Sequence, residues 1–286
     1  MTAVWLACLS AILFGAMSVG LRVGLSRHSD ADLATLCTVA AALVVGLVAA
    51  AAEAPDRGVH AGAAWPFLLA GLISPGAAQI LVTLAIREAG ASRSSVVLGA
   101  APLVSVTIAL VFLGEPLRVV LIIGAVLIVA GGLELAWERG RPGHVRRIGL
   151  AFAFVATILF SLRDNLVRWL SSDTPVPPAA AAAAALLGGF LLLAVLLGPR
   201  LRGRPTLQQA LPFLGVGVLF GLSYVSLFEA YYRGRVSVVS PLVATESLWG
   251  VFLSIVFIRH VELVGRRLVL GALLVVAGGA LIGAYR

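Results

Sequence analysis

The sequence predicts an all-α integral membrane protein, with ten transmembrane helices arranged as two five-helix repeats of inverted topology. Three observations carry this reading. The 286 residues are 60% hydrophobic and only 12% charged, far more apolar surface than a soluble domain of this length needs. Cutting the chain at charges, prolines and polar clusters leaves ten apolar runs of about 20 residues, enough to cross roughly 30 Å of hydrocarbon at about 1.5 Å per residue. Finally, residues 124–132, GAVLIVAGG, return as GALLVVAGG at 271–279, an offset of 147.

Taken in order, the runs cover 3–25, 31–52, 66–86, 94–113 and 118–138, then 148–170, 178–198, 209–231, 236–258 and 266–285. They are continuous rather than alternating, and rich in Ala and Leu, which argues against barrel strands. The first has no Lys or Arg ahead of it, unlike the charged start of a cleaved signal peptide, and is expected to stay as a helix. In the third, Ser74-Pro75-Gly76 should bend or break the helix, freeing carbonyls that only a cavity tolerates. Pro102 should kink the fourth. The alanine tract 179–185, set between Pro178 and Leu186, reads as the start of the seventh. The linkers leave no room for a soluble domain. The polar linker 138–147, ERGRPGHVRR, separates a first unit, 1–140, from a second, 148–286.

The match between the units reaches beyond the glycines. Glu115 falls on Glu262 at offset 147, while Ile12-Leu13-Phe14 meets Ile158-Leu159-Phe160 at 146 and Arg22 lands on Arg168. Because five is odd, the second unit begins on the opposite side of the membrane, the geometry suited to alternating access.

The 21 basic residues are all arginine, against 13 acidic ones, and sit singly between apolar runs. That pattern reports topology and anionic lipid headgroups, and no nucleic-acid partner is expected. Loops after odd-numbered runs hold 14 arginines and the remainder 7, which places odd loops in the cytoplasm and both termini outside. Cys8 and Cys37 lie inside apolar runs without His or Cys at ligand spacing, so no disulfide, metal or cofactor is expected.

Glu246 is the first candidate functional residue. It lies about midway between Arg235 and Arg259, 24 residues apart, or about 36 Å of helix. A carboxylate at mid-bilayer costs on the order of 3 kcal/mol and should face a cavity or a partner. It reads as a proton-coupling group, as a counter-charge for a substrate amine, or as a protonated packing residue. Trp249, three residues on, shares its helix face and could stack on a substrate or fill a gate.

Arg163, Asp164 and Asn165 interrupt the sixth run. Adjacent residues do not face each other on a helix, so Arg163 and Asp164 are expected to need different partners. Arg163 reads either as a receptor for a substrate carboxylate or as a snorkelling helix-end residue. Gln79 lies eight residues inside Arg87, and its counterpart region carries Ser223, Tyr224 and Ser226. These are candidate polar cavity walls, although serine also bonds back to its own helix. Structural readings suit the rest: Arg22 and Arg168 as helix-end markers, Glu229 paired with Arg233 four residues on, Glu115 and Glu262 as caps, and the repeated glycines as close helix contacts.

Residues 102–132, PLVSVTIALVFLGEPLRVVLIIGAVLIVAGG, resemble the drug/metabolite transporter superfamily in its ten-helix EamA branch, and 249–279 repeat the pattern more loosely. Glu262 and Gly271 are kept there, while Trp249 replaces the proline and Val261 the glycine. The resemblance implies a metabolite permease, often an exporter, in the cell membrane. It implies a central cavity between runs 1, 3, 4 and 6, 8, 9, and cytoplasmic termini, opposite to the arginine count. The function expected is secondary transport of a small metabolite such as an amino acid, coupled to protons through Glu246, by a monomer or homodimer. No phosphate-binding P-loop is present for ATP. A non-transporting partner subunit and an intramembrane enzyme are the alternatives. The second lacks its parts, because His28, His60, His144 and His260 fall in loops or helix ends.

Overall fold

The computed structural model describes residues 2–58, 60–104, 119–136, 146–201, 206–234, 236–258 and 265–285. Among these residues the chain is helical and has no strand. In order the helices are α1 (Thr2–Arg27), α2 (Ala31–Arg57), α3 (Trp65–Gly71), α4 (Ala78–Ala89), α5 (Ala91–Leu98), α6 (Val119–Ala136), α7 (Arg147–Ser171), α8 (Pro178–Leu197), α9 (Leu207–Arg233), α10 (Val236–Val243), α11 (Glu246–Phe257) and α12 (Arg266–Tyr285). Among the described residues six stretches are long and apolar enough to cross a membrane: α1, α2, Trp65–Ala89, α7, Pro178–Arg200 and α9. Their outward side chains are greasy; Val44, Leu47 and Val48 of α2 are all exposed, as a hydrocarbon surrounding allows. Glu115 and Glu262 lie outside the described residues.

Local signals set the boundaries. Asp30 caps α2, its carboxylate accepting the Asp32 and Leu33 N–H groups at 3.0 Å. A capping box of Thr206 and Gln209 opens α9. Helix α2 runs to Arg57, past its expected end at 52, and the extra turns are used. There Glu53 pairs with Arg57 at 2.7 Å and accepts the Ala179 N–H at 3.0 Å, where α8 begins.

Trp65–Ala89 is one span with a break in it. Ser74 is extended, φ −148° and ψ 123°, and residues Leu72–Ala77 form a widened turn. The Ala78 N–H bonds the carbonyls of Ile73 and Pro75, bypassing that of Ser74. This is the break expected of Pro75, and it leaves a carbonyl needing a partner. Pro102 acts similarly. Helix α5 stops at Leu98, and Gly99 and Ala100 form a turn before helical residues resume. The hydroxyls of Thr157 and Ser161, one turn apart on α7, donate to the Val97 and Ala101 carbonyls on either side, both at 3.2 Å.

The run 236–258, expected as one helix, is two. Helix α10 ends at Val243, and Ala244 and Thr245 turn the chain into α11. The joint is a kink rather than a gap, because the Ser247 and Leu248 N–H groups still bond Ala244 and Thr245 at 3.2 and 3.0 Å. Glu246 is therefore the first residue of a half-helix and not the middle of a continuous one.

Helix pairings occur in exchanged sets. Helix α1 lies along α9 as α4 lies along α7, and α2 lies along α9 as α3 and the widened turn lie along α8. Helices α6 and α12 run antiparallel and touch through backbone. A Cβ on Gly131 would meet the Gly271 carbonyl at 2.6 Å, and one on Gly271 would meet the Gly131 carbonyl at 2.9 Å. Only glycine permits that approach. The matched arginines also do equivalent work. Arg22 Nη1 donates to the Ile86 and Arg87 carbonyls at 3.4 and 3.0 Å, near the end of α4. Arg168 Nη1 donates to the Tyr231 carbonyl at 2.9 Å, near the end of α9. A cation at a helix C-terminus meets the negative end of the dipole and satisfies orphan carbonyls.

Candidate functional site

Where α1, α5, α7, α9, α10 and α11 converge they enclose a cavity of about 40 Å³. Its waist is aromatic: Phe14 stacks edge-on against Phe160 at 5.9 Å and against Phe220 at 6.2 Å. Three charged side chains, Arg163, Asp164 and Glu246, open onto it, each less than a tenth exposed.

The sequence expectation that Arg163 and Asp164 need different partners is corrected. Arg163 Nε lies 2.7 Å from Asp164 Oδ1, because both helix-surface side chains bend into the same cavity. The approach lacks hydrogen-bond alignment, so Nε, Nη1 and Oδ1 have charge complementarity but no directed bond among the described residues. Arg163 is held instead by ring faces, with its Cζ 5.5 Å from the Phe160 centroid and 5.0 Å from that of Tyr224.

Tyr224 has a second duty. Its hydroxyl donates to the Ser74 carbonyl at 2.6 Å, the one that the break at Pro75 left unpartnered. The freed carbonyl thus exists, and Tyr224 rather than an open cavity takes it up. Next to Tyr224, Ser223 donates to the Ser10 carbonyl at 2.9 Å, the two serine hydroxyls standing 3.0 Å apart. These bonds pin α9 to α1 and to the α3–α4 joint around the cavity.

Among the sequence candidates, Arg163, Asp164, Ser223, Tyr224 and Glu246 come together here. The others do not line this cavity. Asn165 donates to the Ser161 carbonyl at 2.8 Å within its own helix. Trp249 packs its Cβ against Gly15 of α1 and its ring edge-on against Phe252, which is itself exposed, at 6.2 Å. Three residues from Glu246 is less than a full turn, which swings Trp249 off the cavity's axis. Gln79 is fully buried in α4 and is not among the lining residues. The expected Glu229–Arg233 pair is present at 2.6 Å.

Sequence reasoning missed Phe14, Phe160 and Tyr231. The first two were in view as part of the repeat. Tyr231 lies beside Asp164 and follows Tyr224 by two helical turns on one face, a spacing that could have found it.

The EamA-like transporter family matches residues 1–135 and again 147–284. A protein of known crystal structure is similar over 98% of this chain and 96% of its own, at 21% identity and a TM-score of 0.69. That likeness concerns the fold alone. No curated protein sequence matches the chain.

Proposed function

The chain belongs to the EamA-like transporter family, and from that premise we propose a secondary transporter that exports a small amphipathic metabolite, such as an amino acid, by alternating access. The carrying observation is the cavity with its buried cation and two carboxylates. Charges inside a membrane protein face a substrate or ion path by default. Arg163 receives the substrate carboxylate, in competition with Asp164. Glu246 meets the substrate amine or a coupling proton. At about 40 Å³ the cavity has room for a few waters of about 10–15 Å³ of probe volume each and none for a metabolite. This conformation is therefore contracted around the site, and loading requires its helices to part.

The same reading takes the chain as ten spans in two inverted repeats. The reciprocal Gly131–Gly271 approach supports it, as do the exchanged helix pairings and the two arginine caps. Kinked helices at the centre of such a bundle suit alternating access. The protein works in the cell membrane with lipid and protons as partners, as a monomer or homodimer. Glu246 and Tyr224 at a cavity favour transport over the partner-subunit alternative, against Gln79, which is packed dry outside it.

Metabolites released by cells with and without the protein identify the cargo. Flux in proteoliposomes with and without a pH gradient then tests coupling. Glu246→Gln is expected to transport with its pH dependence lost. A variant that keeps the full dependence removes Glu246 from that role.

A further inference from the structure

We propose that Ser18, Gln79 and Thr83 form a second, uncharged polar half-site, dry in this conformation, which takes up water and the neutral hydrogen-bonding groups of a substrate when α1 and α4 part. The proposal deepens the two-repeat transporter reading and rests on it.

All three side chains are fully buried. The Ser18 and Thr83 hydroxyls and both amide atoms of Gln79 have no hydrogen-bond partner among the described residues. Buried polar atoms are normally paired, because each one that is not has given up water for nothing. A run of them along one seam marks a surface built to be wet in another state.

Two contacts set the register of that seam. Ser10 stands beside Ser223, whose neighbour Tyr224 bonds Ser74. Twelve or thirteen residues further along each segment, Arg22 bonds the carbonyls of Ile86 and Arg87. Helices α1 and α4 therefore run in the same direction, which puts Ser18 within about one turn of Thr83. Gln79, Thr83 and Ile86 follow at i, i+4 and i+7, one stripe on α4. The stripe leads from the cavity to the end of the bundle where Arg22 caps α4.

The repeat gives this stripe a counterpart. The offset of 146 that carries Arg22 onto Arg168 carries Ser18 onto Asp164. The offsets of 145 and 144 from the carbonyls that Arg22 caps, Ile86 and Arg87, to the one that Arg168 caps, Tyr231, carry Gln79 onto Tyr224 or its neighbour Ser223. Asp164 and Tyr224 already face the cavity, while Ser18 and Gln79 hold the equivalent places in the first unit. An inverted repeat directs the two half-sites towards opposite membrane faces. One is charged and leads towards Arg168; the other is neutral and leads towards Arg22.

Thiol accessibility tests this without knowledge of the substrate. In a Cys8→Ala, Cys37→Ala background, Ser18→Cys and Thr83→Cys are exposed to a cationic, membrane-impermeant methanethiosulfonate from each face. Ala85→Cys, buried on α4 off the stripe, and the exposed Ser26→Cys are controls, and labelling after denaturation counts total thiol. Both stripe positions should react from the Arg22 face at least about tenfold faster than Ala85→Cys, through a minor open population. Gln79→Leu should slow labelling at Thr83→Cys while leaving the melting temperature equal or higher. Rates at both positions as slow as at Ala85→Cys from either face would overturn the proposal, as would a Thr83→Cys rate indifferent to Gln79→Leu. If the wild-type protein moves no metabolite, the transport reading falls separately, and the labelling result stands on its own.

Discussion

The two units of this chain place different chemistry at matched positions. At offset 147, Glu246 of the second corresponds to Gly99 of the first, and Trp249 to Pro102. The helices carrying them cross at this point. A Cβ on Gly99 would meet the Ser247 Cβ at 2.8 Å and the Ala244 carbonyl at 3.1 Å. The glycine in one unit is what lets the carboxylate of the other approach the centre. A symmetric pair of carboxylates there would clash and repel, so at this crossing the scaffold holds a carboxylate on one side only. The same holds one layer outward, with Asp164 and Tyr224 in the second unit against Ser18 and Gln79 in the first.

This comparison can be broken most sharply at Asp164. Asp164→Ala removes the carboxylate nearest Arg163 and leaves only Glu246 on the same cavity; it is expected to cost about 3–5 kcal/mol, read as a fall in melting temperature in detergent. The double variant Arg163→Met, Asp164→Leu should recover most of that stability while abolishing transport, which separates folding from function. At the crossing, Gly99→Ala should cost about 1–3 kcal/mol through overpacking, measured in the same way. An unchanged melting point would mean the two units do not lean on each other there. Tyr224→Phe strands the Ser74 carbonyl and should cost about 1–3 kcal/mol. Its counterpart change Gln79→Leu should cost nothing, so equal losses would erase the distinction between the halves. Smallest is Glu229→Gln at the partly exposed pair with Arg233, expected to shift stability by less than about 1 kcal/mol and to lose even that effect in high salt.

Much of this was legible beforehand, for identifiable reasons. The break at Pro75 and the kink at Pro102 follow from the missing N–H of proline, a covalent property that no tertiary contact alters. The helix-end roles of Arg22 and Arg168 were readable because the cost of burying a charge forces it towards carbonyls or an interface. The site was readable only in part. Glu246, Tyr224, Ser223, Arg163 and Asp164 announce themselves by being polar in apolar runs. Gln79 announces itself equally, yet it lies in a dry seam, and Trp249 and Asn165 turn elsewhere. Which polar residue meets which depends on helix rotation, and a difference of one residue swings a side chain by about 100°. The ion pair of sequence neighbours Arg163 and Asp164 escaped the helix-face rule because a long arginine reaches around its own helix.

Composition and the repeat by themselves determined a helical membrane chain, its internal duplication and its break at Pro75, because those are set by solvent transfer and backbone chemistry. Tertiary structure alone decided the rest: that the run after Arg235 splits at Ala244 to start a half-helix on Glu246, that Tyr224 closes the carbonyl freed at Ser74, and that Arg163, Asp164 and Glu246 open onto one cavity while Ser18, Gln79 and Thr83 are buried outside its lining. These depend on how helices rotate and cross, and glycine contacts such as Gly99 against Ser247 fix that crossing through backbone approach, where the repeat signals only that two helices are alike.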